Sequence, residues 1–164
     1  MFFEIVSAKI LPKEGDNNAG APRQRKDMAA TDNAAEQAAH IAEKIRAGKT
    51  TLGIEFGSTR IKAVLIDDNF QTIASGDYSW ASHLEDGLWS YTTEEIWGGL
   101  QSAYASMAND VETAYGEKLT HVGHIGFSAM MHGYLAFDEA GELLVPFRTW
   151  QNTNTSEAHK KLSE

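Results

Sequence analysis

The chain has 164 residues, with 14 Lys and Arg against 23 Asp and Glu, a net charge of −9 and no cysteine. This length suits one domain, which can bury about two-thirds of its unfolded surface. The lack of cysteine excludes disulfide frameworks, thiolate metal sites and cysteine nucleophiles. The acidic charge argues against a nucleic-acid partner. No run of about 18 apolar residues is present to span a membrane, so the expected location is the cytoplasm.

Residues 1–50 differ from the rest of the chain and are interpreted as a flexible N-terminal appendage. They hold 8 basic and 7 acidic residues, whereas residues 51–164 hold 6 basic and 16 acidic ones. The segment 11–35 is rich in Pro, Gly, Asn and charged residues without apolar periodicity, which predicts flexibility. Apolar residues at helical spacing then predict a short helix near 33–47.

The sequence Gly48-Lys49-Thr50 resembles the end of a phosphate-binding P-loop. That loop requires a glycine five positions before its Gly-Lys pair, where this chain has Glu43, and it requires a strand before the loop and a helix after it. Here a predicted helix precedes the motif and a predicted strand follows it. Gly48 is therefore interpreted as the glycine that ends the helix.

Residues 51–80 predict three consecutive strands in a meander. Apolar residues alternate in 51–56, a β-favouring run follows in 60–67, and Gly57-Ser58-Thr59 lies between them, which indicates a hairpin. Residues 67–69 supply a second turn into a third strand over 70–80.

The tip of the first hairpin offers chemistry suited to a phosphate group. Gly57 allows close approach to the backbone, and Ser58 and Thr59 offer hydroxyls and amides. Glu55 could hold Mg²⁺, directly or through water, because this ion prefers oxygen ligands. The alternative is an ordinary hairpin loop beside a solvent-facing glutamate, since Gly and Ser dominate turns.

The second half of the chain predicts a helix and further strands. Thr92 and Glu95 fit a capping box, and apolar residues at helical spacing continue to a stop at Gly116. Trp97 lies in this helix and is expected in the core. Alternation in 121–127 predicts a strand parallel to the first one, because a helix connects them. Residues 135–145 predict another hairpin.

Four stretches between residues 51 and 155 are similar to motifs of one family and follow that family's order. The stretch 53–67 resembles the first phosphate-binding motif of the actin/hexokinase/Hsp70 superfamily, in the form used by the FGGY carbohydrate kinases. The stretch 87–97 resembles the entry to that family's first long helix. The stretches 126–133 and 144–152 resemble the Gly-Gln-Met-His-Gly and Arg-Pro-Ala-Ile-Leu-Trp-Asn-Asp segments of xylulokinase-like members.

This resemblance implies an α/β fold: a ribonuclease H-like (actin-like ATPase) half-domain, in which a three-strand meander is followed by a helix and returning strands. It implies a kinase that uses ATP and Mg²⁺ to phosphorylate a hydroxyl of a ketose in carbohydrate metabolism. Carried over residue by residue, it assigns ATP phosphate binding to Gly57, Ser58, Thr59 and Lys62, the metal to Glu55, and the sugar to Met131, His132, Trp150 and Asn152.

Four departures from the family's motifs stand out. Glu55 stands where Asp is usual, Met130 replaces Gln, and Gln151-Asn152 replaces Asn-Asp. The first change moves the carboxylate outward by one methylene, and the last replaces an acidic group by amides. These changes bear on which sugar is bound.

The resemblance also implies that the catalytic base lies outside these residues, so that 51–164 is an incomplete N-terminal kinase lobe without turnover of its own. A homodimer of the full-length form is left open. Two alternatives remain: an actin-like or Hsp70-like ATPase without a sugar substrate, and a non-catalytic sugar-binding regulatory module.

Overall fold

The computed structural model describes the backbone of residues 23–164 and the side chains of residues 33–164. Nine elements follow one another along this part of the chain. They are α1 (Arg23–Arg46), β1 (Thr50–Phe56), β2 (Arg60–Asp67), β3 (Thr72–Ser79), β4 (His83–Glu85), β5 (Leu88–Ser90), α2 (Thr93–Tyr115), β6 (His124–Ala129) and α3 (Ser156–Ser163).

Helix α1 begins ten residues before the predicted start at 33. The bounds predicted for this helix are therefore too short at its start, whereas the flexibility predicted for 11–35 stays a prediction, and the part before residue 23 lies outside the described residues. Residues 23–31 are mostly Arg, Gln, Lys, Met and Ala, which favour helix without producing an apolar period. The proposed division of the chain near residue 50 stays a prediction.

The end of α1 is fixed to the body of the molecule. The side chain of Ile45 is buried in the core, and the buried Lys44 ammonium donates to Asp67 Oδ2 at 3.0 Å. Gly48 ends the helix with φ of 65°, and the Lys49 N–H donates to the Lys44 carbonyl at 2.9 Å. This geometry confirms Gly48 as a helix terminator.

The main sheet has the strand order β3-β2-β1-β6. The three strands of the meander pair antiparallel, and β6 returns parallel to β1, with Gly53 opposite Gly126 and Glu55 opposite Ser128. The meander and the parallel return were both predicted. The parallel pair brings the carboxyl ends of β1 and β6 to the same edge of the sheet.

Helix α2 covers one face of this sheet. Its capping box at Thr92 and Glu95 and its end at Gly116, with φ of 68°, are as predicted. Ala103 and Met107 are fully buried against the sheet, where Gly76 of β3 lets the helix approach closely. A Cβ atom at that glycine would lie only 2.3 Å from the Ala103 carbonyl oxygen.

One local prediction differs from the structure. Trp97 is 62% exposed, so its expected place in the core is wrong, because it lies beside the buried stripe of α2. The hairpin predicted over 135–145 is present in a short form: Phe137 and Leu143 form an antiparallel bridge, and the Leu144 N–H donates to the Ala136 carbonyl at 2.9 Å. A small hairpin of β4 and β5 was not predicted. None of the helices in the described range 23–164 is both long and apolar enough to cross a bilayer.

Candidate functional site

Residues 57–59 form the tight loop between β1 and β2. The Gly57 N–H donates to the Arg60 carbonyl at 2.9 Å, which closes the turn. A Cβ atom at Gly57 would lie 2.9 Å from that same carbonyl oxygen. A larger residue would therefore disturb the turn, so glycine is needed here for steric reasons.

The three carbonyl groups of this loop are all held by aromatic residues. Trp80 donates through its indole Nε1 to the Gly57 oxygen at 2.8 Å and through its backbone N–H to the Thr59 oxygen at 3.1 Å. The Tyr91 hydroxyl donates to the Ser58 oxygen at 2.7 Å. Within the described part of the chain, the amides of Ser58 and Thr59 donate to no protein group. The carbonyl oxygens of the loop are therefore engaged, whereas the N–H groups of Ser58 and Thr59 remain able to donate, which suits an anion.

Trp80 and Tyr91 support the loop as a stacked pair. Their ring centroids lie 4.3 Å apart, and the ring centroids of Tyr91 and Phe147 lie 5.7 Å apart. Burial raises the pKa of the Tyr91 phenol above its ordinary value, so the hydroxyl stays protonated and donates. Sequence reasoning missed both supporting residues, because their partners are more than 20 positions away.

Glu55 and Lys62 lie opposite each other on β1 and β2 and form an ion pair. The Lys62 Nζ atom is 3.0 Å from Glu55 Oε2, and both side chains are about half exposed. Strand register places Ser128 of β6 and Asp77 of β3 in the same row across the sheet. The residue expected to bind the metal and the residue expected to bind phosphate therefore neutralise each other.

The turn that carries Met131 and His132 follows β6 directly. The Met130 N–H donates to the Phe56 carbonyl at 2.9 Å, so this turn is tied to the residue just before Gly57. His132 has a φ of 65°, a left-handed conformation that is uncommon for residues other than glycine. Such backbone conformations occur often at ligand sites, where surrounding structure enforces them.

A cavity of about 810 Å³ lies beside this turn. Of the residues predicted to bind sugar, His132, Trp150 and Asn152 line it, whereas Met131 does not and is 73% exposed. Further lining residues include Tyr134, Leu144, Arg148, Thr149 and Asn154. The structure thus brings three of the four sugar candidates to one concave surface of a size that suits a small ligand.

Asn152 uses its side chain to hold the cavity wall. Its Oδ1 accepts from the Trp89 N–H at 2.8 Å, and its Nδ2 donates to the Trp89 and Thr149 carbonyls at 2.7 and 3.2 Å. The neighbouring Gln151 accepts from the Ser82 hydroxyl at 2.7 Å. Through these bonds the amides of Gln151 and Asn152 hold the cavity wall to the β4–β5 region, at Ser82 and Trp89.

Comparisons with known proteins agree on one family. Residues 50–164 match the model of the N-terminal domain of the FGGY family of carbohydrate kinases. A xylulose kinase from Klebsiella pneumoniae is 26% identical over 113 residues, which is 69% of this chain and 22% of that protein.

Solved structures agree on the fold. The gluconate kinase and the ligand-bound xylulose kinase from Lactobacillus acidophilus each superpose with a TM-score of 0.58 at 19% identity, covering 70% of this chain and 22% of theirs. This confirms the predicted actin-like ATPase type of α/β fold. The chain spans about a fifth of the length of these relatives. With the family model matching most of its residues, the chain belongs to the FGGY family of carbohydrate kinases, and its residues 50–164 match that family's N-terminal domain.

Proposed function

We propose that these residues supply the phosphate-binding loop and much of the sugar-binding surface of an ATP-dependent kinase that phosphorylates a sugar hydroxyl. The observation that carries this proposal is the hydrogen bond from Met130 to Phe56, which joins the His132 turn to the loop at Gly57. Ligands of open α/β sheets bind at the carboxyl ends of parallel strands, where β1 and β6 meet here. A phosphate donor and a sugar could therefore be held side by side.

The loop and its neighbouring ion pair fit ATP and Mg²⁺. The Ser58 and Thr59 amides donate to no group within the described residues and can donate to phosphate oxygens, while the carbonyls of both residues accept from Tyr91 and Trp80. On binding, Lys62 would turn to a phosphate and Glu55 to the cation or its waters, so that neither charge is left unpaired. Mg²⁺ supplies charge neutralisation of the transferred phosphoryl group. The side chains of Lys62 and Glu55 are exposed enough to separate in this way.

The catalytic base is proposed to come from polypeptide outside these residues. Transfer to a hydroxyl needs a carboxylate that accepts the proton of the sugar. The residues that line the described cavity include His132 and Arg148 but no Asp or Glu. We therefore expect the 164 residues alone to bind ligands without turnover. Measurable ATP-dependent phosphorylation of D-xylulose by this chain alone would contradict this assignment.

Two variants separate the proposed sites in the natural polypeptide that contains these residues. Gly57→Val should raise the KM for ATP at least about tenfold and leave the KM for the sugar near its original value, because its side chain meets the Arg60 carbonyl and would displace the turn that presents the Ser58 and Thr59 amides to phosphate. His132→Ala should do the reverse. Steady-state kinetics with each substrate varied in turn measure both constants.

The same experiment distinguishes the alternatives. Equal effects of Gly57→Val and His132→Ala on both constants would contradict two separable sites. ATP hydrolysis that no sugar stimulates would favour an ATPase of the actin or Hsp70 kind. Sugar binding without any nucleotide binding would favour a non-catalytic regulatory module. The ketose itself stays a prediction, supported by the xylulose kinases among the relatives.

A further inference from the structure

Arg148 is a cavity residue whose side-chain direction is fixed by its neighbours. Its backbone pairs with Tyr134, donating to that carbonyl at 3.1 Å and accepting from that N–H at 3.0 Å. The adjacent Phe147 and Thr149 are both buried, 5% and 3% exposed. Successive side chains of an extended segment point to opposite sides, so Arg148 faces the cavity that it lines.

The charge of Arg148 is not balanced by the cavity. The lining contains no Asp or Glu, and within residues 33–164 no carboxylate lies within the 4.0 Å of an ion pair with this guanidinium. This contrasts with the surrounding sequence, in which residues 51–164 hold 6 basic and 16 acidic residues. Arg148 is only partly exposed, so water hydrates its guanidinium incompletely. An anion bound in the cavity would pair with this positive charge.

Three departures from the family's sequence change the charges of this cavity. When Trp150 is aligned with the Trp of the Arg-Pro-Ala-Ile-Leu-Trp-Asn-Asp segment, Val145 stands in place of Arg, Arg148 in place of Ile and Asn152 in place of Asp, and all three line the cavity. The first change removes a positive charge, the second adds one, and the third removes a negative charge. Together they move the cation of the segment to Arg148 and leave the lining more positive, which favours an anionic ligand over a neutral one.

We infer that the cavity accepts a polyhydroxylated carboxylic acid, a sugar acid, whose carboxylate binds the Arg148 guanidinium. This inference rests on the proposed function and names the substrate class of the same site. A guanidinium presents paired donors that match a carboxylate. His132 and the Asn154 amide line the same cavity and suit the hydroxyl groups. A phosphate ester carries roughly 1.5 to 2 negative charges, which one cation would leave partly unbalanced.

The test compares two ligands that differ at one carbon atom. D-gluconate and D-glucitol have the same hydroxyl pattern at C2 to C6, and only the first has a carboxylate. Calorimetric titration of the natural polypeptide that contains these residues should give a Kd for D-gluconate at least about tenfold lower, as expected for hydrogen bonds to a charged group. Arg148→Gln should abolish this difference while leaving the Kd for D-glucitol within about twofold, and Arg148→Lys should keep part of it. Lys160→Gln, which removes an exposed cation of α3 outside the cavity lining, should leave the difference unchanged.

Each other outcome overturns the inference. Equal Kd values for the two ligands in the unsubstituted protein overturn the inference without any variant. The test therefore does not depend on whether the Arg148→Gln protein folds. A preference that Arg148→Gln retains assigns the carboxylate to another residue. Tighter binding of D-glucitol 6-phosphate assigns the cavity to a phosphate ester. Tighter binding of D-xylulose overturns the sugar acid but supports the proposed kinase. Failure of all four ligands to bind overturns both.

Discussion

Replacing Asn152 by Asp should loosen the cavity wall, although the two side chains have nearly the same shape. The new carboxylate would still accept from the Trp89 N–H, but it would lose the donated bonds at 2.7 Å to Trp89 and 3.2 Å to Thr149. Two lost hydrogen bonds and an oxygen facing two carbonyls should cost about 2–3 kcal/mol. For a chain of this size, that corresponds to a fall in Tm of about 4–12 °C.

Asn154→Asp is the matched control for this experiment. It makes the same change of charge and shape in the same cavity, but Asn154 is exposed and makes no side-chain hydrogen bond within residues 33–164. We expect this control to change the free energy of unfolding by less than about 0.5 kcal/mol. Urea unfolding at pH 7 measures both variants. Equal stability of the two would refute the positioning role of Asn152, and a true effect should shrink below about pH 4, where a protonated carboxyl can donate again.

Three further predictions concern stability and are measured by urea or thermal unfolding. Gly76→Ala should destabilise the protein by at least about 1–3 kcal/mol, because the new Cβ meets the backbone of α2. Gly98→Ala should stabilise it by about 0.5–1 kcal/mol, because a Cβ there meets nothing within 4 Å and alanine favours helix. Effects of the opposite signs would refute this packing. Thr92→Ala should cost about 1 kcal/mol through loss of the α2 cap, and no loss would mean that the cap is redundant. Burial opposes ionisation of Asp67, but donation from Gln71 and Lys44 outweighs it and lowers the pKa below 3.8. The contribution of ionised Asp67 to the free energy of unfolding should therefore be fully present above pH 3.8 and be lost as the pH falls through its lowered pKa. Asp67→Asn should show a smaller loss of stability over this range.

Elements that depend on short-range signals were predicted correctly. The capping box of Thr92 and Glu95 and the left-handed Gly116 depend on residues within one helical turn, so the bounds of α2 could be predicted closely. The hairpin around Gly57 also depends on short-range chemistry. The early start of α1 was missed because helix propensity, unlike apolar periodicity, leaves no pattern to count.

Longer-range contacts could not be predicted. Asn152 was expected to bind sugar, yet its amide is engaged 63 positions away at Trp89. Trp97 is aromatic like the buried Tyr91 and Phe147, but it lies beside the buried stripe of α2 and is 62% exposed. The role of Arg148 required knowing that Tyr134 pairs with it, which sets the direction of its side chain. In each case the decisive partner is distant in sequence.

Strand β6 has a consequence for handling the protein. All six of its residues are exposed, including Ile125 and Phe127, and one of its edges pairs with no strand in the described part of the chain. An open edge flanked by apolar side chains is a template on which another chain can add a strand. We therefore expect a concentrated solution of these 164 residues to associate edge to edge. A charged substitution such as Phe127→Lys should keep samples monodisperse for calorimetry without touching the loop or the cavity lining.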